Sequence, residues 1–375
     1  MLSPSRNCLS RAGSRRNKCG CDYRTMKILF GVFDWGLGHA TRDIPLIAQL
    51  LKKNQVHILS TGWALKVLKG RFKNKCEYYD VPSIHPPYTK SRFFKLKFTF
   101  ASPWMIKALK YARRKSAKIV ARGFDKVISD CRYDVYDGPD NSYLINHQLR
   151  FKTPLGTERI AERWLASRMK RYKYVIVPDF DAENLSGRLS HDLRYVNADK
   201  IRYIGILSHL KKRRTDEDID YFISLSGPEP QRTVFEKTVL SALDQLRGKI
   251  IIAGGNPDGA SKNLPGNVQY YSYLNTKQQQ DIMNRAKFII ARSGYSTIMD
   301  LAELNKTKVL LVPTPGQSEQ EYLADYYEEK KYFHHVSQYH LRLKKDIRKA
   351  RKFKAFLPAW KTKESVKKFM AVINA

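Results

Sequence analysis

Short apolar runs alternate with helical periodicity along most of the chain. Residues 27–33 have the pattern of a buried strand, and residues 44–51 repeat apolar positions at the spacing of a helix face. Further short apolar runs recur as far as residues 309–312, with helical segments between them. Strands that alternate with helices are typical of parallel βαβ units, so the sequence predicts an α/β protein.

The alternation lapses once, near the middle of the chain. Residues 205–220, GILSHLKKRRTDEDID, are polar and charged, and a new strand pattern begins at residue 221. Two doubly wound Rossmann-like domains are therefore expected, with a central cleft at the carboxyl ends of their strands. The expected parts are a disordered basic extension at 1–25, a first domain at 26–207, a charged linker at 208–220, a second domain at 221–356 and a closing helix at 357–375. The strand pattern that follows Met26 also makes this methionine a candidate start.

The net charge narrows the classes of partner. The chain has 69 Lys and Arg against 35 Asp and Glu, a balance of +34. Nucleic acid, an anionic lipid surface and phosphorylated substrates all suit such an excess. Five cysteines are too few for a disulfide framework, which favours a reducing compartment. No apolar run has the roughly 18 residues that a membrane-spanning helix needs.

One basic segment also carries aromatic residues. Residues 90–122 are rich in Lys and Arg and contain no acid. Cations mixed with aromatic rings suit the interface of an anionic membrane, although the same rings could instead pack in the core beneath a solvated face. The segment contains Phe93, Phe94, Phe98, Phe100 and Trp104 among its cations.

The first motif with chemical potential is GVFDWGLGHATR, at residues 31–42. It lies between a strand and a helix, where Gly36 and Gly38 permit a tight turn and the helix N-terminus favours an anion. His39 could take a proton from a hydroxyl nucleophile, or it could cap the helix or contact a phosphate. Asp34 could orient His39 or serve as the base itself. The spacing differs from that of the dinucleotide-binding fingerprint.

A second strand-to-helix turn opens the second domain as SLSGPEPQR, at residues 224–232. Ser226 and Gly227 allow a phosphate to approach the backbone closely. Prolines near the first turn of a helix are also ordinary, so helix capping is the alternative interpretation.

The most informative stretch is ARSGYSTIMDLAELNKTKVLLVPTPGQSEQEYLADYY, at residues 291–327. RSG follows a predicted strand and precedes a helix, which directs backbone N–H groups at an anion. Asp300, six residues beyond Gly294, carries a carboxylate that could accept hydrogen bonds from a ribose diol. The later loop supplies Gln317, Gln320 and Glu321, whose polar groups suit sugar hydroxyls.

These motifs resemble the donor half of GT-B glycosyltransferases of the MurG-like type. The resemblance covers most of the chain after Met26 and is strongest over residues 288–327, with a second match at GLGHATR. It implies transfer of N-acetylglucosamine or another hexose from a UDP-sugar to a lipid-linked or glycan hydroxyl, with inversion at the anomeric carbon. It also implies a UDP-sugar as donor substrate. Because backbone N–H groups and helix dipoles can stabilise the leaving nucleotide, we expect no obligatory metal or other cofactor. The basic, aromatic segment favours a cytoplasmic protein attached to the inner face of the cell membrane.

The resemblance assigns site residues position by position. Asp300 stands where the family has a ribose-binding Glu, and Gln320 and Glu321 stand where it has two glutamines. The GNPVR linker of the family reads GILSH here, so His209 replaces a phosphate-contacting Arg. The implied acceptor loop comprises Gly36, Gly38, His39, Thr41 and Arg42. The implied donor-binding residues are Ser226, Gly227, Tyr273, Leu274, Arg292, Ser293, Gly294, Thr297, Asp300, Gln317, Gln320 and Glu321.

Two other functions compete with this hypothesis. A UDP-N-acetylglucosamine 2-epimerase-like enzyme shares the two-domain architecture but leaves the basic, aromatic segment unexplained. A basic nucleic-acid-binding protein would account for the charge, but the cations do not lie in a known RNA- or DNA-binding module. We therefore expect a nucleotide sugar, an anionic membrane surface and a lipid-linked acceptor as partners, and no nucleic acid.

Overall fold

The structure, a computed structural model, describes residues 25–83, 102–150, 156–260 and 262–375, with the side chains of 102–106 left aside. The predicted extension at 1–25 lies outside these residues except for Thr25. Phe93, Phe94, Phe98 and Phe100 and the side chain of Trp104, named above for the basic segment, also lie outside the described part. Within the described residues, no helix combines the length and the apolar character that crossing a bilayer requires.

Seven parallel strands form the first sheet, in the order β3-β2-β1-β4-β5-β6-β7. The strands are β1 (Lys27–Val32), β2 (Gln55–Ser60), β3 (Glu77–Asp80), β4 (Lys126–Asp130), β5 (Ser142–Ile145), β6 (Tyr174–Val177) and β7 (Ile201–Tyr203). The helices of this half are α1 (Gly38–Leu50), α2 (Gly62–Phe72), α3 (Ser102–Val120) and α4 (Glu158–Met169). Both faces of the sheet are covered, which explains why its strands are apolar runs rather than alternating ones.

Six parallel strands form the second sheet, in the order β10-β9-β8-β11-β12-β13. The strands are β8 (Ile219–Ser224), β9 (Ile250–Ala253), β10 (Val268–Tyr271), β11 (Ala286–Ala291), β12 (Val309–Leu311) and β13 (His334–His335). The helices are α5 (Gln231–Leu240), α6 (Thr276–Arg285), α7 (Tyr295–Leu304), α8 (Ser318–Glu329), α9 (Leu343–Ala350) and α10 (Thr362–Asn374).

The two halves share part of their core. One cluster of buried residues takes members from both, among them Ile47 of α1 and Ile298 of α7. The last helix, α10, returns to the first half, where Tyr143 of β5 donates a hydrogen bond to the carbonyl of Ile373 at 3.3 Å. The chain thus crosses between the halves once near residue 207 and again near Trp360, whose indole N–H donates to the carbonyl of Ile204 at 3.0 Å.

The two sheets confirm the predicted α/β fold with two Rossmann-like halves. The apolar runs of the first half match β1 to β6 closely, and α3 lies within the basic segment 90–122. Three strands were absent from the prediction, namely β7, β10 and β13. Each has four residues or fewer and lies at an edge of its sheet, so it lacks the long apolar run that marks a doubly covered strand.

Candidate active site

The loop after β1 lies against the second half of the chain. Gly36 has φ +74°, a left-handed conformation that suits glycine, and Gly38 begins α1. A Cβ atom at Gly38 would collide with the hydroxyl of Ser296, in the first turn of α7. The small residue therefore lets the two halves approach each other where both helices begin, and His39 lies in this narrow space.

His39 is held by Asp130, a residue that the sequence analysis did not single out. Asp130 ends β4, and its backbone pairs in register with Val32 at the end of β1. This register brings the carboxylate within 2.8 Å of Nδ1 of His39. An ionised carboxylate can only accept a hydrogen bond, so this contact places the proton on Nδ1 and the lone pair of the ring on Nε2; Arg42 Nη2, which lies 2.9 Å from Nδ1, then makes no hydrogen bond with His39. The carboxylate against His39 is thus Asp130, whereas Asp34 accepts a hydrogen bond from Ser83.

Arg42 lies one turn further along α1 and fixes the charge of Asp130. Its guanidinium donates to both carboxylate oxygens of Asp130 and also approaches Nδ1 of His147 at 2.9 Å. Burial alone would raise the pKa of Asp130, but the charge of Arg42, the neighbouring His39 and the hydrogen bonds from both side chains together outweigh burial and hold that pKa well below its usual range. Arg42 was predicted to contact an anion in this loop, and its anion in the structure is this carboxylate.

A second carboxyl group is buried beside this pair. Asp43 is fully buried, and neither of its oxygens has a hydrogen-bond partner among the described residues when it is counted as an acceptor. Burial and then the charge of Asp130 raise the pKa of Asp43 well above its usual range. The protonated form of Asp43 is therefore favoured, and the carboxylate that contacts His39 directly is that of Asp130.

The protonation state of His39 suits a base. Burial lowers the pKa of His39, while the Asp130 carboxylate acts in the opposite direction. The imidazole is therefore neutral at neutral pH, with Nε2 free to accept a proton.

A histidine bridges the two halves beside this centre. His147 lies 3.1 Å from the carboxylate of Glu319, in the first turn of α8, through its Nε2. Its ring stacks on Tyr295, with centroids 4.5 Å apart and planes 7° from parallel. Tyr295 in turn donates to the carbonyl of Pro178 at 2.8 Å. These contacts seal one side of the cleft between the halves.

Three side chains of this centre could in principle ligate a metal. The ligand atoms of His39, Asp130 and Cys131 lie within 4.8 Å of one another. Arg42 Nη2, however, approaches all three groups and donates to the Asp130 carboxylate. A guanidinium among the ligand atoms occupies the position where a cation would bind and repels it, so this set does not fit a metal site.

The predicted donor residues gather where α7 begins. Gly294 precedes the helix, and a Cβ built on it would lie 3.8 Å from both Gln320 Nε2 and Thr297 Oγ1. Gln320 in turn accepts the backbone N–H of Thr314 at 3.0 Å and donates to Gln317. The structure thus brings the segment 314–320 against the start of α7, around a helix N-terminus that favours an anion.

A buried hydroxyl without a hydrogen-bond partner in the described part of the chain lies in the same segment as Gln317 and Gln320. Thr314 is 1 % exposed, and its Oγ1 has no hydrogen-bond partner among the described residues. Gly227, whose φ is +112°, packs closely against this hydroxyl, since a Cβ built on it would lie 3.2 Å from Thr314 Oγ1. A buried hydroxyl without a partner costs stability, which is tolerable where a ligand supplies the missing acceptor. The sequence analysis did not single out Thr314.

Arg292 does not face this site with its side chain. Its five N–H groups donate to five acceptors, namely the carbonyls of Ser226, Gln231, Val312 and Pro313 and the side chain of Gln338. The side chain is 1 % exposed. No N–H group of the guanidinium is left over for a phosphate, so a donor contact at Arg292 stays a prediction for its backbone N–H only, and the side chain ties the loops of the second half together.

Asp300 is also more enclosed than a ribose contact requires. It is 7 % exposed, and its Oδ1 accepts a hydrogen bond from the hydroxyl of Ser208 at 2.5 Å. His209 Nδ1 lies 3.9 Å from the same oxygen, and burial lowers the pKa of His209 to about 4. Burial raises the pKa of Asp300 to about 7. In this structure the carboxyl is thus engaged by the segment that joins the two halves, and a ribose would have to displace Ser208.

The remaining predicted residues divide between internal contacts and open positions. Thr41 Oγ1 donates to the carbonyl of Gly38 at 3.2 Å, and the Glu321 carboxylate accepts the N–H of Gly316 at 2.9 Å. Ser293 Oγ donates to the carbonyl of Gln320 at 2.8 Å. Tyr273 is 38 % exposed and follows β10, whereas the adjacent Leu274 is buried.

Comparisons with known proteins agree with this architecture. Residues 231–374 match the model of the glycosyltransferase family 28 C-terminal domain. No curated protein sequence matches the chain.

Solved structures give the fold of the whole chain. The glycosyltransferase of kitacinnamycin is 11 % identical, with a TM-score of 0.61 over 94 % of this chain and 95 % of its own. The calicheamicin glycosyltransferase CalG4 is 12 % identical, with a TM-score of 0.58 over 94 % of each chain. MurG of Acinetobacter baumannii is 14 % identical, with a TM-score of 0.52 over 94 % of this chain and 98 % of its own. The chain has the GT-B fold, and the matched C-terminal domain supports a glycosyltransferase.

Proposed function

We propose that the protein transfers a hexose, with N-acetylglucosamine as the first candidate, from a UDP-sugar to a hydroxyl of a lipid-linked or glycan acceptor. The observation that carries this proposal is the pairing of His39 with Asp130 directly opposite the first turn of α7. A base on one side of the cleft and an anion-binding helix N-terminus on the other are the two groups that such a displacement needs.

The donor would bind on the side of the second half. Backbone N–H groups at the start of α7, the turn at Ser226 and Gly227, and the hydroxyl of Thr314 supply donors to the diphosphate. Preorganised donors of this kind stabilise the charge that builds on the leaving nucleotide. Similar folds hold comparable ligands, since VinC is solved with DTDP and Arabidopsis thaliana UGT89C1 with UDP-L-rhamnose. Gln317 and Gln320 would contact the sugar hydroxyls.

The acceptor would be activated by His39. Nε2 takes the proton of the acceptor hydroxyl while the oxygen bonds to the anomeric carbon and the bond from that carbon to UDP breaks. Asp130 holds the proton on Nδ1 and stabilises the imidazolium that forms. Because base and leaving group lie on opposite sides of the cleft, attack from the face opposite UDP inverts the anomeric configuration. Closure of the cleft by the His147–Glu319 contact would help to exclude water.

The surface of α3 supports a membrane-bound acceptor. Lys107, Lys110, Arg114 and Lys118 recur along one exposed side of this helix, beside Tyr111, which is 51 % exposed. Each cation near an anionic lipid surface contributes about 1 kcal/mol to attachment. We propose peripheral contact between this helix and the inner face of the cell membrane.

The test combines donor binding with turnover. Purified protein is titrated with UDP-N-acetylglucosamine, UDP-glucose and UDP-galactose, and UDP release is measured with a lipid extract of the source cells as acceptor. We expect one donor to give acceptor-dependent UDP release, and His39→Ala to lower kcat by about 10²- to 10⁴-fold because the base is lost. The affinity for UDP should change little, since His39 does not contact it in this scheme.

His340→Ala is the matched control, because His340 is exposed and lies in the second half, away from α1 and α7. It should keep wild-type turnover. Full activity of His39→Ala would eliminate His39 as the base, and failure of all three UDP-sugars to bind would refute the proposed donor.

A further inference from the structure

A basic cavity lies in the first half, outside the site described above. It has a volume of about 240 Å³ and is lined by Arg150, Arg188, Asp192 and Arg194. Three guanidinium groups therefore face one carboxylate across a space larger than a single water molecule, whose share of liquid volume is about 30 Å³.

Part of this cavity is held rigidly. Arg150 donates to the carbonyl of Asp192 at 3.1 Å and lies 3.4 Å from the carboxylate of Glu162. Glu162 is only 1 % exposed, and its other oxygen accepts the backbone N–H of Arg194 at 2.6 Å. The buried Glu162 carboxylate neutralises Arg150 and anchors the backbone of the loop that carries Arg188 and Arg194.

The remaining two arginines are available to a ligand. No hydrogen bond or ion pair among the described residues uses the guanidinium group of Arg188 or of Arg194. Ion pairs are common elsewhere on the surface, for example between Arg285 and Asp218 at 2.6 Å. Two unengaged guanidinium groups at one cavity favour an oxyanion, because their planar N–H pairs match two oxygens of one group.

The cavity borders the proposed active site. Arg150 follows three residues after His147, which contacts Arg42 and Glu319. On the opposite side, the backbone N–H of Arg188 donates to the hydroxyl of Tyr322 at 2.7 Å. Tyr322 lies one turn of α8, about 5 Å of rise, beyond Glu319. The cavity thus lies at the junction of the two halves, on the flank of the contact that seals the cleft.

From this placement we infer that the cavity formed by Arg150, Arg188 and Arg194 binds a phosphate group of the acceptor substrate. The inference rests on the proposed function for the identity of the acceptor, but not for the presence of the anion site. A phosphate held at this flank would anchor one end of the acceptor while its hydroxyl reaches His39. Two unpaired guanidinium groups suit a phosphate, which carries more charge than a carboxylate at neutral pH.

The experiment titrates glycerol 3-phosphate into the full-length protein by calorimetry at fixed ionic strength, with acetate as the reference anion. The variants are Arg188→Gln/Arg194→Gln and the control Lys237→Gln/Arg247→Gln. The control removes the same charge from exposed positions of the second half that make no ion pair among the described residues. We expect saturable binding of glycerol 3-phosphate that weakens at least tenfold in the first variant and is unchanged in the control.

Three results would overturn the inference. Equal loss in both double variants would mean that net charge alone attracts the phosphate. Equal affinity for acetate would mean that the cavity does not select phosphate. A third arm uses vesicles that contain phosphatidic acid: if Arg188→Gln/Arg194→Gln loses as much retention as Lys110→Gln/Arg114→Gln on α3, the two arginines belong to a membrane-facing surface instead.

UDP affinity separates this inference from the proposed function. If UDP binds to the wild type and to all variants, but glycerol 3-phosphate binds to none of these proteins, the anion site is refuted and the donor proposal stands. If UDP binds to no variant while glycerol 3-phosphate still depends on Arg188 and Arg194, the anion site stands and the proposed function is refuted.

Discussion

Two buried carboxyl groups, one in each half of the molecule, respond to burial in opposite ways. Asp130 is fully buried and Asp300 is 7 % exposed, so both are removed from water. The pKa of Asp130 lies well below its usual range, whereas burial raises the pKa of Asp300 to about 7. The difference comes from the neighbours: Asp130 faces the Arg42 guanidinium, while Asp300 faces the neutral hydroxyl of Ser208. A partner charge, and not burial, decides which carboxyl stays ionised.

This contrast fits the proposed roles of the two halves, which are activation of the acceptor in the first half and binding of the diphosphate in the second. A charged Asp130 can hold a proton on His39 and stabilise an imidazolium. The second half would receive a diphosphate that carries its own negative charge. A carboxyl there that can remain protonated near neutral pH adds less repulsion than a fixed anion would.

The largest expected effect on stability comes from removing the positive charge of Arg42 beside Asp130. In Arg42→Met, the Asp130 carboxylate would lose its buried counter-charge, and Asp43 beside it could not supply one. We expect the free energy of unfolding at pH 7 to fall by about 3 to 5 kcal/mol. Denaturant unfolding, followed by circular dichroism, measures this loss.

Ser208→Ala is the counterpart at Asp300. It removes a neutral donor from a carboxyl that can become protonated, so the expected loss is only about 1 kcal/mol. Equal losses in Arg42→Met and Ser208→Ala would contradict the view that the two carboxyl groups are stabilised differently.

The raised pKa of Asp300 predicts a pH dependence of stability. Its folded value of about 7 exceeds the usual 3.8, so the folded protein binds this proton more tightly than the unfolded chain does. The contribution of Asp300 to the free energy of unfolding should therefore be fully present below about pH 4 and decline as pH rises to about 7. The decline is at most about 4 kcal/mol.

Asp300→Asn removes the titrating group and keeps an oxygen for Ser208. We expect the variant to match the wild type at pH 4 and to be more stable at pH 8, measured by denaturant unfolding at several pH values. A wild-type profile that Asp300→Asn leaves unchanged would show that this carboxyl stays ionised in the folded protein.

The fold could be predicted from the sequence because each central strand of the two sheets is an apolar run that lies between helices. It also located the loop of His39, since glycines between a strand and a helix are a local signal. Asp130 has no such signal: a single acid at a strand end becomes significant only through the register of β4 with β1, which places it beside Val32. That register is a tertiary property.

The Arg292 side chain shows the same dependence on tertiary structure. The RSG motif predicts backbone N–H groups directed at an anion, and Gly294 does lie at a helix N-terminus, but the motif does not indicate what the guanidinium contacts. The five acceptors of the guanidinium come from three segments that are separated in sequence, at residues 226–231, 312–313 and 338. Local spacing cannot reveal where these acceptors lie, so it could not show that the side chain is already engaged.

The smallest expected effect concerns Thr314, whose hydroxyl differs from both carboxyl groups because it has no partner among the described residues. Thr314→Val keeps the shape of the side chain and removes the buried hydroxyl. Without ligand, the variant should be more stable by about 1 kcal/mol, because an unsatisfied polar group is gone. UDP should bind about 5- to 10-fold more weakly, because the diphosphate would lose one hydrogen bond. Thermal unfolding with and without UDP measures both effects, and opposite signs are the expected signature of a ligand contact.

Thr314→Ser, which keeps the hydroxyl, should retain the affinity for UDP. If Thr314→Val gains stability and binds UDP as tightly as the wild type, the hydroxyl does not face the diphosphate, and the donor site must lie away from Gly227.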